Sequence, residues 1–105
     1  MKTVLGVLLV ASQMAYYESK VPSFGCTSID ALSQLQRVRS NAQDFRKALT
    51  EKQLYGECVE ILEGTLVEGA IESSDSSVLR VNMQSDPPGF EAPLADFEIK
   101  PTDSR

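Results

Sequence analysis

Cys26 and Cys58 are the only cysteines among 105 residues, and the strongest periodic signal in the chain runs between them. Ile29, Leu32, Leu35, Val38, Ala42, Phe45 and Leu49 recur at steps of three or four, which is the stripe of one amphipathic helix. Thr27 stands where a hydroxyl would cap it, Asp30 complements the first-turn amides, and Gly56 marks its end. Arg37, Arg39, Arg46 and Lys47, interspersed with Asp44 and Glu51, lie off the stripe and read as its solvated face. A bond between the cysteines would therefore pin the helix to whatever follows Gly56. Closing a loop of that length stabilises a fold by about 3–4 kcal/mol, a large share for a domain of this size. In an exported protein the pair is expected as a disulfide, whereas in the cytoplasm two buried thiols are expected.

After Gly56 the period changes. Residues 58–62, 65–72 and 78–83 are short β-prone runs, separated by the Glu63-Gly64 turn and the Ser73–Ser77 loop. Connections this short imply antiparallel pairing. Asp86-Pro87-Pro88-Gly89 must interrupt regular structure, and Phe90–Ile99 is expected to return as an edge segment limited by Pro93. The predicted fold is α+β: one helix packed on a small antiparallel sheet of three or four strands. Its boundaries are a signal-like segment at 1–15, a linker at 16–25 containing Pro22, Ser23 and Gly25, a single domain at 26–100 and a tail at 101–105. The expected core is Leu32, Leu35, Val38, Phe45, Val59, Ile61, Val67, Ile71, Leu79 and Val81.

Met1-Lys2 precedes a nearly uncharged run from Thr3 to Ala15, the layout of a secretory signal. The run is short for a bilayer-spanning helix, which needs roughly 20 residues, so an uncleaved anchor through residues 3–15 is a second choice, and the alternative to a signal is a buried strand or helix of an unprocessed protein. Export predicts a periplasmic or secreted protein.

Several chemistries are excluded. The chain has no histidine, which removes Ser-His-Asp and Cys-His catalysis and the commonest imidazole metal ligand. Two cysteines cannot build a four-thiolate zinc site or an iron–sulfur cluster. There are 10 basic and 15 acidic side chains, with 11 of the acids in residues 56–105, so no positive field exists for nucleic acid. Glu57, Glu60, Glu63, Glu68 and Glu72 invite a reading as catalytic or calcium-binding carboxylates. Their spacing instead fits the outward face of a half-buried sheet, and no calcium-loop pattern is present. No enzyme activity, metal or cofactor is expected.

Gly25-Cys26, the amphipathic stripe, Gly56-Glu57-Cys58, Gly64-Thr65-Leu66-Val67 and the Val78–Val81 strand together resemble small exported bacterial proteins of unknown function. The resemblance spans residues 24–83 and implies a compact secreted domain with a small sheet. It implies no activity.

The function expected from these readings is non-enzymatic binding of a protein partner, as an exported accessory or structural protein. Phe90 and Leu94, held between Pro88 and Pro93 or beside them, are the candidate contacts, because docking a restrained segment loses little entropy. The alternative is that both fold back onto the core. The rival function is a cytoplasmic acidic inhibitor, for example of phage origin, that occupies a basic surface on its target.

Overall fold

A computed structural model describes residues 14–82 and 89–101. The expected signal-like run up to Gln13, the Asp86–Pro88 interruption and most of the tail lie outside the described residues.

The expected helix is two helices, α1 (Ile29–Val38) and α2 (Ala42–Leu54). The break has a local cause. Asn41 leaves the helical conformation and its Oδ1 accepts from the Asp44 amide, a bond that competes with helix continuation and starts a new helix. Ser28 rather than Thr27 caps α1, accepting from the Ala31 amide, while the Thr27 amide donates to the Glu57 carbonyl. Thr27 thus extends a strand ladder. Gly56, at φ +73°, closes α2 in the left-handed conformation that glycine adopts without steric cost.

The strands are β1 (Ala15–Ser19), β2 (Ser23–Cys26), β3 (Cys58–Ile61), β4 (Leu66–Ile71), β5 (Val78–Asn82), β6 (Gly89–Pro93) and β7 (Phe97–Lys100), with a short 3-10 turn at Leu94–Asp96. Among the described residues the sheet has seven strands instead of three or four, all antiparallel, in the order β3-β2-β6-β5-β4-β1-β7. Residues 16–25, expected as a linker, supply two of them. Tyr17, Ser19 and all four residues of β2 are buried, so the segment is a central part of the sheet. The expected edge segment also differs: β6 is flanked by β2 and β5, and only β7 lies at an edge.

Register shows how so many short strands arise. Ala15 pairs with Gly69 and Cys26 with Cys58, and the number of positions between the first members equals that between the second. β1–β2 and β3–β4 are therefore two long bent strands in one ladder, kinked at 20–22 and 62–65. The pairs Ser19↔Phe97 and Cys26↔Glu91 make β6–β7 a third bent strand, slipped by one residue at its kink. β5 pairs with β4 and with β6 and closes the circuit of hydrogen bonds into a small barrel. Over the described residues β5 pairs with β4 and β6 alone, and β3 and β7 are left with one free edge each among those residues.

Two apolar clusters lie on the two faces of this curled sheet. Under the helices, Phe24, Cys26 and Cys58 meet Leu32, Leu35, Leu49 and Val78. Inside the barrel are Tyr17, Ile61, Leu79, Val81, Phe90, Ala92 and Phe97. Leu32, Leu35, Ile61, Leu79 and Val81 are buried as expected, and Val38, Phe45, Val59 and Val67 are half-buried. Ile71 is a correction: it ends β4 and is 49% exposed. The disulfide is formed. Cys26 and Cys58 face each other across the ladder with Cα atoms 4.0 Å apart, both buried. The Thr27–Glu57 bond flanks them, which puts the cysteines at a non-hydrogen-bonded pair, where antiparallel backbones approach most closely.

The break between the helices is clamped to the barrel. Arg39, at the end of α1, reaches Asp96 Oδ2 at 2.6 Å and donates to the Pro22 carbonyl at 3.1 Å. Ser23 Oγ donates to the same carboxylate oxygen at 2.6 Å. The guanidinium lies 5.1 Å from the Phe24 ring centroid, and Phe24 packs against Phe45 of α2 at 5.2 Å.

Candidate functional site

Strand alternation turns Val81, Phe90 and Ala92 into the barrel and Arg80 and Glu91 away from it. At the mouth between β3 and the β5–β6 pair this leaves a mainly apolar cleft of about 380 Å³, lined by Val59, Glu60, Ile61, Leu62, Thr65, Val67, Val81 and Phe90. Phe90, named from the sequence as a partner contact, is 5% exposed and forms part of the wall. It packs over Gly25, whose α-carbon leaves only 3.0 Å between an added Cβ and the Phe90 Cβ. Leu94 is half-buried against the same cluster. Both therefore pack into the fold, and the exposed apolar residue at the cleft is Leu62, at 66%.

Among the described residues the cleft borders a free backbone edge. The Thr27–Glu57 and Ser19–Thr65 hydrogen bonds fix the phase of the ladder, so the backbone groups of Cys58 and Glu60 point away from β2. Such an edge is a template for one more strand.

The five glutamates singled out from the sequence do not converge. Glu57 pairs with Lys52 at 3.2 Å and Glu60 with Arg46 at 3.8 Å. Glu63 shares a shallow depression with Glu18, Lys20 and Glu98, and Glu68 lies on β4. Only Glu72 joins an ionic cluster with a buried acid, and that acid, Glu91, was missed. Arg80 Nη1 lies 2.8 Å from Glu91 Oε2 and 4.0 Å from Glu72 Oε1. Glu91 Oε1 is buried without a hydrogen-bond partner. Burial raises the Glu91 pKa, the Glu72 charge raises it further, and Arg80 opposes both. The signal available in sequence was alternation: with Phe90 and Ala92 inward, residue 91 must face the helices. The pair sits on the sheet face opposite the Phe90 cleft, so it has no part in that site.

Other groups are locally satisfied. Asp75 is held below the usual carboxylate range by the Ser77 hydroxyl and amide in a surface turn. Lys100 is held high by Glu18 and Glu98. Among the described residues, no group of three or more Cys, Asp or Glu side chains is placed to hold a metal, and no helix is long and apolar enough to cross a membrane. Compared with known proteins, the chain matches no family, no curated protein and no solved structure.

Proposed function

We propose that the protein is an exported, non-enzymatic binding module that takes an extended segment of a protein partner along the free edge of β3, with an apolar side chain of that segment in the Phe90 cleft. The observation that carries this reading is the juxtaposition of the two features: a cleft with apolar walls and the outward backbone groups of Cys58 and Glu60 at its rim. Strand addition uses this combination, in which main-chain bonds supply affinity and a side-chain pocket supplies selectivity. The intramolecular disulfide fits an oxidising compartment and so favours export, together with the signal-like Thr3–Ala15 run. Glu60 and Glu63 beside the cleft favour a partner segment with basic residues flanking its apolar one. The rival cytoplasmic inhibitor would use the same acidic rim and differs in location.

Because Phe90 is a wall residue, its truncation would destabilise the fold and report little about binding. The rim supplies cleaner probes. Leu62→Arg and Glu60→Lys alter exposed positions, so the melting temperature should hold while co-purification of the partner from the native cell is lost. Leu54→Arg, on the exposed end of α2, should leave it intact. Retained partner in both rim variants, or turnover of a polysaccharide or peptide substrate by the pure protein, contradicts the proposal.

A further inference from the structure

The second free edge, β7, has a composition that β3 lacks. We infer that β7 pairs antiparallel with β7 of a second copy about a two-fold axis at Ile99, joining two barrels through one continuous sheet. The hydrogen-bond phase allows it. The Lys20 amide donates to the Asp96 carbonyl, so in the β1–β7 ladder Glu98 and Lys100 are the bonded positions, and the backbone groups of Phe97 and Ile99 point outward. Two Ile99 residues on the axis exchange a reciprocal pair of N–H to carbonyl bonds. The Phe97 amide then donates to the Pro101 carbonyl of the other copy, and Pro101, with no N–H, ends the ladder.

Charge order selects this partner. Identical edge strands usually refuse one another because like charges meet. In the order Phe97-Glu98-Ile99-Lys100, antiparallel pairing about Ile99 sets Glu98 opposite Lys100 of the second copy, twice. The surroundings need that cation: Glu18 and Glu98 oppose each other within one copy and share a single Lys100, at 3.1 and 3.6 Å. Ile99 is 61% exposed and lies beside Pro101, so the strand junction also covers apolar surface. On β3 the corresponding two-fold at the outward position Glu60 would bring two glutamates together. The β3 edge therefore lacks the self-complementary charge order of β7.

Sedimentation equilibrium of the full chain tests the inference, with melting curves to show that every variant is folded. Ile99→Pro removes only the outward donor and leaves the β1 ladder whole. It should raise the dimer dissociation constant at least about tenfold, as should Glu98→Lys and Lys100→Glu singly. The double reversal Glu98→Lys/Lys100→Glu restores complementarity and should return the constant to within about threefold of the original. A chain that stays monomeric up to about 1 mM, or a dimer indifferent to Ile99→Pro and to the reversals, overturns the inference. The β3 proposal is untouched by either result, since its readout is partner retention by the Leu62 and Glu60 variants.

Discussion

At the residue scale the most exacting position is Glu91. An acid buried on the helix-facing side of the sheet, with Oε1 unpartnered, holds its proton to higher pH than a free carboxyl because burial and Glu72 disfavour the charge. The native state then binds more protons than the unfolded chain between the ordinary carboxylate range and the raised value, so this group's contribution to stability falls as pH rises through that window. Glu91→Gln keeps an acceptor for Arg80 and removes the titration. The variant is expected to match or exceed the wild type by up to about 1 kcal/mol at pH 7, and the difference should shrink as pH falls toward 4. Urea unfolding of both proteins across this range checks it, and a variant that is less stable at pH 7 and gains on acidification contradicts the assignment. Residue-scale features were partly legible. The cysteine pair was, because it needs only composition and compartment, whereas the ionic neighbours of Glu91, Arg80 on β5 and Glu72 just past β4, meet it only through the sheet pairing and no local pattern reveals them.

At the element scale the apolar stripe from Ile29 to Leu49 identified helical structure but not its division. Periodicity survives a short break when the second helix keeps its face toward the same core, as α2 does through Phe45 and Leu49. Ser40-Asn41 was the readable sign of the break, since both side chains bond readily to local backbone. The segment 16–25 failed for the opposite reason. Pro22, Ser23 and Gly25 have the composition of a loop, yet Pro22 occupies the kink between β1 and β2, Ser23 serves Asp96, and Gly25 makes room for Phe90. Tertiary demands chose those residues. The Arg39 clamp joins both misread segments, so it should matter more than its surface position suggests. Arg39→Ala should cost about 2 kcal/mol in chemical denaturation, while Arg37→Ala, exposed on the same helix, should stay within about 0.5 kcal/mol. Equal losses at the two positions would remove the clamp from this account.

At the scale of the whole molecule, three bent strands and β5 close a barrel, and both proposals rest on the two edges, β3 and β7, that are free among the described residues. None of this circuit is local in sequence: Ala15 pairs with Gly69, and Tyr16 with Lys100. Consecutive hairpins therefore make the three middle strands legible and the Phe90–Ile99 segment legible as extended, whereas the strands at 15–19 and 23–26, whose partners are all distant in sequence, are not. The disulfide spans the opening ladder between β2 and β3 and encloses both helices in a loop whose closure contributes about 3–4 kcal/mol. An exported binding module depends on that bond and on removal of the signal-like run, and intact mass of the protein isolated from its native cell reports both at once. The expected mass is that of a chain shortened by the apolar N-terminal run and lighter by the two thiol hydrogens, unreactive to alkylation until reduced. A mass that retains Met1, with both thiols open to alkylation in the unfolded protein, would contradict it and favour the cytoplasmic inhibitor.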